Sequence, residues 1–599
     1  MIDVVDALDA HGLLARFAAL HPVAATGMGI HDHDGSWGEG GASGRAARLD
    51  WCDAEEARLL RIPDAQLSAD DRCDRDLALG TIRAIRFELR ELQPEAWDPL
   101  HTVSLVGGGL FPLIARGFGT PERRARDLAR RLAALPGLLD SAVDALTGLP
   151  EMQVDADDGA PRRSGEPRPS GSISLPARPV SRLHTETAIA QAPGIAELAE
   201  LAVATYGAEL RGPADAAIAA AGRFVERLER EVLPKSSGEG RYGAARYDRA
   251  LRHTLFGSHD RAAIATNGAR EFAAVRARMI AIARRIAPQW LGDRAEAALS
   301  GDPVALVADV LRAVGEDHCA PGEMLDRSRA ETARCEEFVR RTGLVDLPKE
   351  PLEIMWTPLF LRAYGGAFLD APGPLDRGEK SFFYVTPAPD DATPAEIESK
   401  MREDNNRMLA LLAIHEAIPG HYLQLAAANQ TPRPLRAAFG SGVFAEGWAV
   451  YVTQVMLDEG FGEGDMALEL VHWKFYLRCI ANALLDAGIH ADDRDEAWAL
   501  DLMVGQSWQE EAEARAKYLR ARLTSTQLPT YFVGSMGCWE LEDRARRAAG
   551  GPVAHVDGVD LPGGRVPSSG FSRPRHLRAM LSHGTPPIPL LERLLGLAE

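Results

Sequence analysis

The stretch His415-Glu416-Ala417-Ile418-Pro419-Gly420-His421 decides how this chain is read, together with Glu446-Gly447-Trp448-Ala449 further on. Two histidines, a glutamate beside the first and a second glutamate downstream are the parts of a zinc hydrolase. Two imidazoles and one carboxylate can hold Zn²⁺ with a fourth position open to water. The remaining glutamate can then take that water's proton. His415, His421 and Glu446 are therefore the expected metal ligands, and Glu416 the expected general base.

The spacing needs a physical account. The familiar zincin motif sets its histidines four apart, on one face of a helix. Here they are six apart, which leaves them about 120° out of register on a regular helix. Pro419 interrupts the helix, because it lacks an N–H and clashes with the preceding turn. Gly420 permits unusual backbone angles. A bend at Pro419-Gly420 is expected to swing His421 back towards His415. His472 and His490 stand as alternative second imidazoles. Glu446 follows His415 by about 30 residues, room for a helix hairpin, so the third ligand is expected from a separate helix. A bare His-Glu pair with another histidine nearby is common by chance. The Pro-Gly context and the downstream glutamate give the pattern its weight.

Outward from the motif, the pattern is helical. Met401 to Ile414 predicts a helix leading into the site, with Met408, Leu409, Leu411, Leu412 and Ile414 as its apolar face. Phe444 to Leu457 predicts a second, after the small residues Gly440-Ser441-Gly442. Helical spacing recurs in Asp71 to Gln93, Pro121 to Leu146, Pro213 to Leu233, Asp260 to Ile286 and Pro303 to Val314. Prolines near several starts suit the first helical turn. Phe382-Phe383-Tyr384-Val385 is the best strand candidate. The expected fold class is all-α with few short strands. Val154 to Pro179, rich in Asp, Gly, Pro, Ser and Arg, reads as a flexible insertion. Residues 550–570 read as a second such loop. A boundary near Pro348 is expected to part an N-terminal helical lobe, 1–347, from a C-terminal catalytic lobe, 348–599. No repeat of solenoid period is present.

The formal net charge of −19 argues against nucleic acid and against an anionic membrane surface as partners. Cys52, Cys73, Cys319, Cys335, Cys479 and Cys538 form no C-x-x-C pair. They are expected to be core residues in a reducing compartment. Met1 to Asp6 carry acids where a signal peptide carries lysine or arginine. No apolar run reaches the length that spans a bilayer. A cytoplasmic location is expected.

His415 through Gln424 resembles the signature of the bacterial family called domain of unknown function 885. Glu446-Gly447-Trp448-Ala449-Val450-Tyr451 resembles its second block. Gly29-Ile30-His31-Asp32-His33-Asp34 resembles an early block. Asp486-Ala487-Gly488-Ile489-His490 and Tyr531-Phe532-Val533-Gly534 resemble late ones, and the ending around Met580 to Leu591 also fits. The resemblance implies an all-helical, metallopeptidase-like body related to the gluzincins, with a deep central cleft for one Zn²⁺ per chain. It implies His415, His421 and Glu446 as ligands and Glu416 as base. It supplies no substrate. Tyr422 stands where the family commonly has another histidine, and Thr453 where an acidic residue commonly follows the second block.

Within that frame, Tyr531 and His490 are the candidate donors to a developing oxyanion. Tyr451 is a weaker one. Arg478, Asp486 and Arg522 are candidates for structural ion pairs or for binding a peptide carboxylate. His31, Asp32, His33 and Asp34 suit turn formation and helix capping. Trp448 reads as a core wall. The leading functional expectation is a zinc peptidase acting on short peptides. The alternatives are a zinc amidase or deacylase on a non-peptide amide, and a non-catalytic helical metal-binding protein. Oligomeric state stays open.

Overall fold

The computed structural model describes residues 7–163, 165–358, 362, 366–553, 555–556, 559–565 and 570–598. The N-terminal stretch 1–6 read above lies outside them, as do parts of the loop 550–570. Helix covers 67% of the chain and strand 5%. The periodic segments form the helices Ala69–Phe87, Pro121–Ala145, Arg211–Arg227, Arg261–Leu291 and Pro303–Gly315. Thr120 and Asp302 cap the two helices that start on proline, each accepting a hydrogen bond from the first-turn backbone.

Two local expectations change. The segment 401–414 is not one helix but parts of Pro394–Glu403 and Asn406–Leu412, followed by a wider turn. The Asn405 side chain accepts from the N–H groups of Arg407 and Met408, at 3.1 and 3.2 Å, and so starts the second helix. The insertion 154–179 is not a loose connection. Strand β1 (Met152–Asp155) pairs antiparallel with β2 (Ser172–Leu175). At the base of this hairpin the Arg178 guanidinium lies 3.3 Å from the ring centre of Trp97 and 4.4 Å from that of Tyr242. Such cation–π contacts hold an end that composition alone reads as free.

The chain forms two compact units. The first comprises Met1–Gly257, with Pro372–Glu379 and Pro432–Phe439 added from later sequence. The second comprises Ser258–Ala371, Lys380–Thr431 and Gly440–Glu599. They part at Ser258, not near Pro348. The reason is the helix Arg261–Leu291, which packs along Met466–His490. Gly268 sits where an added Cβ would touch Leu484 and Ile480. The buried Tyr476 hydroxyl donates to Glu271 Oε2 at 2.5 Å.

In the first unit, charged pairs recruit the two late segments. Asp74, buried, pairs with Arg436 and, at 3.1 Å, with Arg433. His31 is more than a turn residue. Its Nδ1 lies 2.9 Å from Asp34, its Nε2 lies 2.9 Å from Asp376, and its ring stacks on Phe118 with centroids 3.7 Å apart. Burial opposes charge on this imidazole, but the two aspartates outweigh it and raise its pKa to about 9.

The second unit holds a small sheet of β3 (Leu352–Trp356), β4 (Ala367–Asp370) and β5 (Ser381–Val385) in the order β3-β5-β4. The central strand β5 contains Phe382–Val385 and is buried throughout. It runs parallel to β3 and antiparallel to β4. The same unit holds the helices Gly442–Asp458 and Pro529–Ala548, which meet at Gly447 and Gly534. A Cβ at Gly447 would overlap the Gly534 backbone, and one at Gly534 would overlap the Val443 carbonyl oxygen. The helices therefore touch backbone to backbone, which only glycine permits.

Gly534→Ala is expected to cost about 3 kcal/mol or more, because neither wall is the end of a flexible side chain. A denaturation midpoint equal to wild type would disprove the tight crossing. For His31 the folded pKa stands above the ordinary 6.5. Its stabilisation is complete below that value and lost as pH rises through about 9. His31→Asn should cost up to about 3 kcal/mol near pH 6, and the gap to wild type should close by about pH 10. Urea unfolding across that range checks this, and a gap independent of pH would refute it.

Candidate metal centre

The helix Asn406–Leu412 widens into a π-helical turn, Ala413–Ala417, which carries His415 and Glu416. The chain then reverses. The Ile418 N–H donates to the Ala413 carbonyl at 3.1 Å, and the Gly420 N–H to the Ile414 carbonyl at 2.9 Å. The Ile418–Pro419 peptide is cis. A Cβ on Gly420 would collide with the carbonyl oxygens of Ile414 and His415, so the reversal needs glycine there. The next helix, His421–Ala428, begins at once. Trp448, fully buried, fastens the bend by donating its indole N–H to the Pro419 carbonyl at 2.8 Å. The rings of His415 and His421 end with centroids 4.8 Å apart and nearly perpendicular, at 81°.

Glu446 joins them from the helix Gly442–Asp458, which Ser441 caps. Glu446 Oε2 lies 3.2 Å from His421 Nε2 and 3.8 Å from His415 Nε2. One donor atom from each of the three residues lies within 4.8 Å of the others. Donors at zinc bond lengths in a tetrahedron sit about 3.3 Å apart, close to these separations. Glu446 Oε2 is buried and accepts no well-formed hydrogen bond. Two neutral-capable nitrogens and one carboxylate oxygen are a suitable donor set for Zn²⁺. The residues fit the ion.

Electrostatics separate the roles. Burial, with help from the charges of His421 and Arg478, holds the His415 pKa well below the ordinary value and keeps the ring neutral. Burial works the same way on His421, but the Glu446 carboxylate raises its pKa. Burial also raises Glu416, and the Glu446 charge adds to this, to about 7. Its Oε1 stays 4.0 Å from His415 Nε2, and its Oε2 accepts the Leu369 N–H at 3.1 Å. Leu369 lies on β4 and was not legible as a site residue. A backbone donor leaves no residue-type signal, and Leu369 precedes Glu416 by nearly 50 residues of unrelated pattern.

Tyr531 stands near enough to Glu446 to feel its charge, whereas His490 is turned to other partners. The Glu446 charge, after burial, raises the Tyr531 pKa. Its hydroxyl accepts from Gln527 Nε2 at 3.1 Å. His490 lies on the helix Met466–His490, fifteen residues beyond Phe475, whose ring packs 5.4 Å from His415. That is about 20 Å along the helix axis. His490 Nε2 instead meets the carbonyls of Ala521 and Thr524, both at 2.8 Å. His472, buried with its pKa pushed down to about 3 by burial, is not among the clustered donors. Tyr451 donates to Glu542 in the core, and Asp486 accepts the Thr526 N–H at 2.9 Å. Both are structural. The Tyr422 hydroxyl bonds the Glu350 carbonyl, and the buried Thr453 hydroxyl returns to the Ala449 carbonyl at 2.7 Å. Neither of these departures from the family pattern places a free polar group at the cluster.

Comparison with solved structures shows the same fold in two bacterial chains. One, described as "a putative lipoprotein of unknown function" from Shewanella oneidensis, is 24% identical with a TM-score of 0.75, over 98% of this chain and 99% of that one. The other, a "putative lipoprotein" from Colwellia psychrerythraea, is 16% identical with a TM-score of 0.72, over 99% of each chain. No curated protein matches the sequence. The family model for bacterial proteins of unknown function, DUF885, matches residues 22–595. That span takes in the early His31 block, both motif blocks and the ending, and on this ground the chain belongs to the DUF885 family.

Proposed function

We propose that this chain is a zinc-dependent hydrolase, a peptidase of short peptides with Glu416 as general base. The observation that carries the reading is the convergence of His415, His421 and Glu446, with a second carboxylate, Glu416, beside them but outside the donor set. A zinc ion held by the three would supply water activation and carbonyl polarisation. Glu416 accepts the proton of the attacking water and later hands it to the leaving amine. Its buried carboxylate is kept in place by the Leu369 N–H. Tyr531 offers a hydroxyl to the developing oxyanion. The two histidines with a glutamate from a following helix are the gluzincin pattern. In the same reading the helical body is metallopeptidase-like, with a deep cleft that admits oligopeptides and excludes folded proteins.

The cytoplasm is the compartment we propose. None of the six cysteines forms a disulfide, and among the described residues no helix is long and apolar enough to cross a membrane. The two similar structures are called lipoproteins, so membrane and soluble fractions of cells making this chain need to be compared.

Purified wild type and Glu416→Gln should each hold about one zinc per chain, with peptide hydrolysis lowered 10²- to 10⁴-fold in the variant. His421→Ala should lose the metal as well. Unchanged turnover in Glu416→Gln, or unchanged zinc in His421→Ala, would overturn the assignment. Tyr531→Phe should lower kcat by about 10²-fold with KM little changed. An effect on KM alone would move Tyr531 from the transition state to substrate binding.

A further inference from the structure

One side of the site carries a cluster of cations, Arg478, Lys474 and Lys517, interleaved with the acids Glu403 and Glu513. Phe475 lies between His415 and Arg478: its ring centre is 5.4 Å from that of His415 and 5.1 Å from the Arg478 guanidinium carbon. Arg478 is partly exposed, and its nearest acid, Glu403, stands 3.5 Å away. Glu403 is already engaged by Lys474 at 2.7 Å. Lys517, buried, stands behind, with Gln509 Oε1 at 2.9 Å and the half-exposed Glu513 at 3.6 Å. Burial, then the Arg478 charge, pushes the Lys517 pKa down to about 8. A second approach comes through Tyr531. The exposed Arg520 donates to Gln527 Oε1 at 3.1 Å, and Gln527 Nε2 donates to the Tyr531 hydroxyl at 3.1 Å. Two arginines thus border the site from two helices, Met466–His490 and Glu511–Leu523. This occurs in a chain whose overall charge is −19. Guanidinium groups are suited to carboxylates, which they bind through paired N–H donors.

We propose that Arg478 and Arg520 form a carboxylate-recognition subsite beside the metal cluster, so that the substrate is a short peptide presenting a carboxylate next to the scissile bond. The inference takes its location from the hydrolase reading. The carboxylate comes either from the peptide's C-terminus or from an acidic side chain.

Three probes distinguish the sources: acetyl-Ala-Ala-Ala with a free carboxylate, its C-terminal amide, and acetyl-Ala-Glu-Ala amide. Binding is measured by calorimetry on the full-length Glu416→Gln protein, and cleavage on wild type by mass spectrometry. At least one carboxylate-bearing probe should bind ten- to a hundredfold more tightly than the plain amide. The free acid leading would identify a terminal carboxylate, and the Glu-containing amide leading an acidic side chain. Arg478→Gln and Arg520→Gln, each in the Glu416→Gln background, should erase most of the difference, and Arg478→Lys should keep part of it. Arg520 is exposed, so its variant tests the idea even if Arg478→Gln fails to fold. Equal binding of all three probes, no binding of any, or a preference that survives both glutamine variants would overturn the subsite. Arginine-dependent binding without cleavage by wild type would support the subsite while removing the hydrolase reading.

Discussion

Two glycines with nothing between them fix where the third metal-binding candidate stands. Gly447 and Gly534 let the helices Gly442–Asp458 and Pro529–Ala548 touch main chain to main chain. Glu446 adjoins the first glycine, and Tyr531 lies one helical turn before the second. One close crossing therefore fixes two helices that carry a carboxylate and a phenol near enough to feel one another's charge. Further along the pair, the Tyr451 hydroxyl bonds Glu542, which also takes Arg546 Nε at 2.8 Å and Arg573. Buried charges of this kind are costly unless every lone pair is used. Here a single carboxylate serves three partners, and the floor beneath the site is held in one register.

The same economy of volume governs the histidine-bearing segment of the site. The histidines are six apart because the backbone passes through a π-helical turn and a reversal before the second helix starts. Gly420 has no space for a side chain, and Trp448 spans from the Glu446 helix to hold the reversal by its indole N–H. The Glu-Gly-Trp run thus contributes three different things from consecutive positions: a charge, an absence of volume, and a donor.

Much of this was legible in the residues, for stated reasons. Helical periodicity located the long helices, since an amphipathic stripe of that length has few other outcomes. The clustering of His415, His421 and Glu446 was legible because proline followed by glycine advertises a bend that can bring such residues together. What stayed hidden depends on packing between distant segments. Asn405 reads as one polar residue in a helix until its side chain is seen to cap the next one. The Leu369 N–H carries no signature at all. His490 sits in a block that resembles the family's, yet helix length alone carries it away from the cluster. The division falls at Ser258 and not near Pro348 because the helix Arg261–Leu291 packs on the later helix Met466–His490, a long-range pairing that no local pattern reports. Net charge averaged over the chain likewise hid the cations around Phe475.

The first unit borrows Pro372–Glu379 and Pro432–Phe439 from sequence that otherwise builds the second. The polypeptide therefore crosses the division five times, and no single cut separates the two units. A fragment starting at Ser258 would carry Asp376, Arg433 and Arg436 away from His31, Asp71 and Asp74, their partners in ion pairs. Truncation is for this reason a poor way to isolate the half that carries the His-His-Glu cluster. It also means that the ribosome releases the complete first unit only after residue 439 has emerged, when the histidine motif has already been synthesised.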